Sequence, residues 1–223
     1  MTAAAEPITG ARKVKLVDDH PIVRHGLAQL IALEPDLDVC LEAGTVAETL
    51  EKLKTVTPDV AVVDLSLEGE SGLALIKDIR ERYPEVRVLV SSIHDERTFA
   101  ARSLRAGAMG YIQKRESITK IVDAIHAILA GEVYLSPEMS RQLLRRAASG
   151  GSTDGDPLSV LSDREIEVFE MIGRGRTTKQ IARHLTISPK TVETHRKKIK
   201  EKLGLKSGAQ LNRRAYDWVR DQE

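Results

Sequence analysis

Apolar residues follow two rhythms along this chain, and the rhythm changes once. In the first 132 residues, short β-branched runs at 14–17, 38–43, 60–63, 87–90 and 110–112 read as strands. Helical patterns fall near 21–33, 46–55, 72–82, 97–105 and 117–130. Strands that alternate with helices predict a parallel sheet with helices on both faces, an α/β doubly wound fold of five strands. Such sheets bind ligands beyond the carboxyl ends of their strands.

From residue 158 onward no strand rhythm remains, and three helix starts can be read. Ser162 with Glu165, and Thr177 with Gln180, each set a hydroxyl three residues ahead of a Glu or Gln, the spacing of a capping box. Ser188-Pro189 sets an N-cap before a first-turn proline. A fourth helix is expected from near Ser207 through Trp218. The back of the chain is therefore a small all-α domain. Between the two parts, the run 147–157 has no large apolar residue and reads as a flexible linker. The expected organisation is a domain over 12–132, a connection with a short helix over 133–157, and a helical domain over 158–223.

Composition changes this picture little. Of 223 residues, 41% are hydrophobic and 30% charged, which suits a soluble globular protein, and 3% aromatics make its core aliphatic. A single cysteine, Cys40, excludes a disulfide framework and any cysteine-based zinc site; it reads as a buried, inert thiol inside the cell. Residues 1–13 carry no apolar stretch long enough for a signal peptide, and no run approaches the roughly 20 apolar residues of a membrane span. A cytoplasmic protein with no membrane partner is the expectation.

Charge changes the picture more. The net charge of +1 hides an asymmetry: residues 158–223 carry +6 and the remainder −5. An acidic front and a basic back imply modules with different partners, the basic one suited to a polyanion such as DNA.

The acids of the front domain fall at strand ends. Asp18 and Asp19 follow the first strand and Asp64 follows the third. In a sheet ordered 2-1-3-4-5 these two strands are neighbours, so three carboxylates converge. Clustered anions cannot all stay ionised without a cation, and a hard divalent ion such as Mg²⁺ resolves the repulsion. Ser92 follows strand four with a hydroxyl, Lys114 follows strand five with a positive charge, and Tyr111 lies three residues earlier.

Val17-Asp18-Asp19-His20-Pro21, Asp64, Ser92 and Tyr111-Ile112-Gln113-Lys114 together resemble a flavodoxin-like receiver domain over about residues 12–132. The resemblance implies that Asp64 accepts a phosphoryl group from a sensor histidine kinase. It implies Mg²⁺ held by Asp18, Asp19, Asp64 and the Ser66 carbonyl. Lys114 and Ser92 would then contact the phosphoryl oxygens, and Tyr111 would change rotamer in response. The family commonly has proline four residues after the phosphorylated aspartate; here that position is Glu68, which leaves the local loop open. His20 could be imagined as a metal ligand but reads better as the entry to the first helix, and His25, His94 and His126 show no ligand spacing.

In the back domain, residues 187–203 form a helix whose Val192, Ile199 and Leu203 share one stripe, with Lys190, Thr194 and Lys197 opposite and Glu193 and Lys198 flanking. A polar, basic face on a protruding helix fits the DNA major groove. The run from Leu161 to Gly204 resembles the LuxR/NarL-type helix-turn-helix over about residues 158–218. By that similarity Glu193, Thr194 and Lys197 read base edges, while Lys179, Ser188, Lys190, Thr191 and Lys198 anchor phosphates. Thr178 stands where the family often carries asparagine. Glu193 suits acceptance of a hydrogen bond from a cytosine amino group.

The two resemblances together imply a two-component response regulator of the NarL/FixJ family, not an enzyme. Its partners would be a histidine kinase, double-stranded DNA, a second copy of the chain when active, and RNA polymerase. Three other readings stay open at this point. A Mg²⁺ phosphohydrolase would usually carry a second aspartate where Ser66 stands. A DNA-binding regulator with a relic receiver, or a basic module that binds protein, would share much of the pattern.

Overall fold

The computed structural model describes residues 10–67, 70–116, 120–148, 158 and 160–220, and these form two compact units divided near residue 143. Glu68 and residues 149–157, where the unusual loop residue and most of the linker were expected, lie outside the described residues.

The first unit alternates strand and helix as the rhythm requires. Its elements are β1 (Arg12–Val17), α1 (Pro21–Ile31), β2 (Leu37–Ala43), α2 (Val46–Leu53) and β3 (Val60–Val63). A two-stranded ribbon follows, β4 (Ser66–Leu67) with β5 (Glu70–Ser71), then α3 (Gly72–Arg82), β6 (Arg87–Ser92), α4 (Glu96–Ala106), β7 (Gly110–Gln113) and α5 (Lys120–Leu129). The main sheet runs β2-β1-β3-β6-β7, and every pairing in it is parallel. This is the order that makes the first and third strands neighbours.

Alternation along the strands sorts side chains to two faces. Val14, Leu16, Val60, Val62, Leu89 and Ile112 pack with Leu27 and Ile31 of α1 and Ile121, Ile125 and Ile128 of α5. The alternate set Val17, Ala61, Val63, Val88 and Val90 points the other way and is equally buried. Each fully buried Val, Leu or Ile contributes about 1.5–3 kcal/mol. Cys40 corrects the sequence reading: it is only half-buried, because β2 is an edge strand, and its thiol donates to the Val14 carbonyl (3.4 Å). Burial and the charge of Asp38 push its pKa up, away from reactivity.

One feature had no sequence signal, and a helix follows it inside the connection where a short helix is expected. After α5 the chain returns to the sheet, where Tyr134 makes a parallel bridge to Gly110 on the β7 edge. Its carbonyl accepts from Tyr111 N–H (2.9 Å) and its N–H donates to the Met109 carbonyl (3.0 Å). The next helix, α6 (Pro137–Ala148), starts where Ser136 Oγ accepts from Met139 N–H and Ser136 N–H donates to the buried Glu96 carboxylate (2.9 Å).

The second unit holds α7 (Asp163–Gly173), α8 (Thr178–His184), α9 (Pro189–Lys202) and α10 (Gly208–Arg220). Both expected capping boxes form, at Ser162/Glu165 and Thr177/Gln180. Ser188 Oγ accepts from Thr191 N–H (3.0 Å) at the start of α9, with Pro189 in the first turn. Ile166, Phe169, Ile181, Val192, Ile199 and Leu211 form the core. Phe169 and Trp218 meet at a tilt, with ring planes 57° apart and centroids 5.6 Å apart. Glu165 also accepts from Lys202 Nζ (2.6 Å), which ties α7 to the end of α9. Burial alone would raise its pKa, but Lys202 and the Ser162 N–H and hydroxyl together hold it below the usual glutamate value. Among the described residues, no helix is long and apolar enough to cross a membrane.

Candidate functional site

The strand register builds a carboxylate pocket. Val17 lies opposite Val63, so the residues that follow, Asp18 and Asp64, emerge side by side. The ladder continues one step, with Asp64 N–H donating to the Val17 carbonyl (2.8 Å) and Asp18 N–H to the Ala43 carbonyl (3.1 Å). Gly72 permits the chain after β3 to fold back tightly. A Cβ there would lie 2.3 Å from the Asp64 carbonyl oxygen, so only glycine fits.

Ligand atoms of Asp18, Asp19, His20 and Asp64 all lie within 4.8 Å of one another. Asp64 and Asp18 are buried at 2% and 3% exposure, which places them at the pocket floor, while Asp19 is more open. Lys114 covers them: its Nζ donates to Asp18 Oδ2 (2.5 Å) and Asp64 Oδ2 (2.6 Å). The backbone behind it is fixed, since Lys114 N–H donates to the Ser92 carbonyl (2.8 Å). Three carboxylates and one ammonium leave two negative charges, which matches a divalent cation.

Burial pushes the Asp64 pKa up, and the charge of Asp18 adds to this; Lys114 and the Ser66 N–H (3.1 Å) pull the other way and do not cancel it. For Lys114, burial favours the neutral amine. The charge of Asp64 and hydrogen bonds to both aspartates outweigh burial and hold its pKa above the ordinary lysine value.

Ser92 and Tyr111 sit where strand ends predict, but both face inward. Ser92 is wholly buried and its Oγ accepts from His94 N–H (3.3 Å). Tyr111 is 1% exposed, and its hydroxyl donates to the His94 carbonyl (3.0 Å).

Two histidines join the site beyond their expected roles. His20 occupies the N-cap position of α1 without capping it; its Nδ1 instead lies 2.5 Å from Asp19 Oδ1 and 3.4 Å from Asp18 Oδ1. His94, two residues past Ser92, places Nε2 2.8 Å from Ser66 Oγ and stacks on Phe99 at 4.5 Å. It links the loops that flank Asp64. The signal that could have found it was position: a histidine just beyond a strand end that already carried a site residue.

In the second unit, the turn from α8 to α9 closes with Ile187 N–H donating to the Ala182 carbonyl (3.0 Å) and Thr186 at a left-handed φ of 49°. Val192 and Ile199 are buried and Leu203 is half-buried, as the stripe predicts. Lys179, Ser188, Lys190, Thr191, Glu193, Thr194, Lys197 and Lys198 are all exposed. The structure thus gathers these eight side chains on the accessible surface of α8 and α9, and holds Asp18, Asp19, Asp64, Ser66, Ser92, Tyr111 and Lys114 at one end of the sheet.

A parallel sheet with an acidic strand-end pocket, together with a helix-turn-helix, defines a phosphoacceptor module joined to a DNA reader. Residues 14–126 match the response regulator receiver domain family, and residues 159–215 match the bacterial regulatory proteins, luxR family. The chain belongs to the response regulators with a LuxR-type DNA-binding domain, a family of transcriptional regulators rather than enzymes. It is 34% identical over 204 residues to the oxygen regulatory protein NreC of Staphylococcus carnosus, an alignment that covers 89% of this chain and 94% of that protein. A LuxR-family two-component response regulator of Aurantimonas sp. SI85-9A1 shares 35% identity, with a TM-score of 0.58 over 62% of this chain and 99% of that one. RcsB of Salmonella enterica serovar Typhimurium, bound to promoter rprA with the phosphomimetic BeF₃⁻, shares 25% identity and a TM-score of 0.62 over 92% and 98% of the two chains.

Proposed function

We propose that Asp64 is the phosphoacceptor of a sensor histidine kinase and that its phosphorylation raises the affinity of residues 158–223 for double-stranded DNA. The observation that carries this reading is the convergence of Asp18, Asp19 and Asp64 beneath Lys114. The donor set is hard and all-oxygen apart from His20, and it fits Mg²⁺ held by Asp18, Asp19, Asp64 and the Ser66 carbonyl. When bound, the ion spreads the charge that builds on the phosphoryl oxygens.

This chain's own residues do the rest. A carboxylate oxygen of Asp64 attacks phosphorus as the bond to the kinase histidine nitrogen breaks. Lys114 exchanges part of its pairing with Asp18 for the phosphoryl oxygens. Ser92 releases the His94 N–H and turns to the new dianion, and Tyr111 follows the loop that carries His94. Two hydrogen bonds to a charged group contribute roughly 3–6 kcal/mol. Turning a switch from 1:99 to 99:1 takes about 5.5 kcal/mol. Dimerisation on two DNA half-sites supplies what the local contacts lack. A cytoplasmic setting, contact with RNA polymerase, and domains spanning 12–132 and 158–223 belong to the same reading.

Gel shifts with and without a small-molecule phosphodonor and Mg²⁺ test it. The expected result is tighter DNA binding with phosphodonor, and neither labelling nor enhancement in Asp64→Asn. Labelling that persists in Asp64→Asn, or binding indifferent to phosphodonor in the parent chain, would overturn it.

A further inference from the structure

Glu193 is one of two acids, with Glu201, on the basic reading helix, and its carboxylate is held through one oxygen. Thr178, the first residue of α8, donates its hydroxyl to Glu193 Oε1 (2.8 Å). Arg196 Nε lies 3.6 Å from the same oxygen, and Arg196 is itself fixed by Asn212 Oδ1 of α10 (3.2 Å). Among the described residues, none donates a hydrogen bond to Oε2. The Glu193 side chain is 60% exposed and that of Arg196 only 17%, so the restraint comes from beneath and the unengaged oxygen stays accessible. An exposed glutamate otherwise samples many rotamers, and freezing one on binding costs conformational entropy. Holding it beforehand removes part of that cost and fixes where an acceptor stands.

We infer that Thr178 is a positioning residue for base recognition: its hydroxyl orients Glu193 so that Oε2 accepts from a base-edge amino group in the major groove. The chemistry required of the DNA is an N–H donor such as the cytosine amino group, since a carboxylate accepts only. This inference rests on the reading of α9 as the DNA-contacting helix. It gives Thr178 a task that contact with phosphate would not require, because its hydroxyl proton is already committed to Glu193.

The test uses the full chain with phosphodonor. Bound duplexes are selected from a random pool and sequenced. Dissociation constants are then measured for the best site, its single-base variants and an unrelated duplex, at two salt concentrations. The parent chain should favour a C·G pair at one position per half-site by about tenfold. Glu193→Ala should erase that preference. Thr178→Val, which keeps the shape and loses the donor, should cut it to about threefold or less, with unrelated-duplex binding and salt dependence unchanged. Thr178→Ser should restore it. In a Glu193→Ala background, Thr178→Val should add nothing. A Thr178→Val chain with the parent's base preference overturns the inference. So does one that loses affinity for all duplexes equally, which would mark Thr178 as a brace or phosphate contact. If Glu193→Ala keeps the preference, the base-reading role of Glu193 fails first; if the parent chain binds no duplex, the DNA reading itself fails.

Discussion

Lys15 keeps an ammonium group inside the first unit, and among the described residues no carboxylate pairs with it directly, Glu48 acting only from a distance. It is wholly buried on β1, and its Nζ donates to the Thr49 carbonyl on α2 (2.8 Å). Burial, reinforced by the charge of Lys52, lowers its pKa to about 8. The folded value lies below the unfolded one near 10.5, so between these limits the unfolded chain binds more protons. The destabilisation is complete below pH 8 and fades as pH rises toward 10.5. Lys15→Met should therefore stabilise the protein by on the order of 2 kcal/mol at pH 7. Denaturant titrations of both chains should show that margin closing between pH 8 and 10.5; a margin independent of pH would refute the assignment. Nothing in the sequence marked Lys15, because a lysine within a strand is expected to face water. The pocket acids were legible for the opposite reason. Strand ends are set by the β-branched runs, and Asp18, Asp64 and Lys114 each sit directly beyond one. His94 was not, since its partner Ser66 lies on the separate β4–β5 ribbon and only the fold brings them together.

Local chemistry fixed the helix starts of the second unit at the scale of the element. Ser162, Thr177 and Ser188 each cap the helix their spacing predicts. The packing of α7 on α10 is set by a residue that spacing rules do not single out. A Cβ at Gly173 would lie 2.3 Å from the Ala215 carbonyl oxygen and 2.5 Å from Val219 Cγ2, so α7 and α10 approach backbone to side chain only with glycine there. Gly173→Ala should lower the stability of this unit by about 1–3 kcal/mol, as overpacking does. Thermal melts of the parent and variant would check it; an unchanged midpoint would mean that the helices part without penalty. The two-residue ribbon β4–β5 and the Tyr134 bridge escaped the sequence reading because one or two residues carry no periodicity.

Across the whole molecule, the sign of charge divides the labour. The proposed phosphate anchors include three lysines per chain, Lys179, Lys190 and Lys198, all exposed. A dimer would neutralise six phosphates, so the logarithm of the binding constant should fall with the logarithm of salt at a slope of about −5. Lys198→Ala should flatten that slope by about 2 for the dimer, and Glu193→Ala should leave it alone. Filter binding across a salt series measures both, and a slope near zero would favour a protein rather than a polyanion as the partner. This asymmetry was legible from charge counting alone.

The Tyr134 bridge also decides where the first unit ends as a folding body. A chain cut at the close of α5 would leave the Met109 carbonyl and the Tyr111 N–H bare along an outer strand. Bare strand margins recruit other chains, so such a fragment would carry a template for fibrous self-pairing. The segment after α5 thus serves as a selvedge, the woven border that keeps cloth from unravelling, and any shortened form of the protein must retain it to stay monodisperse.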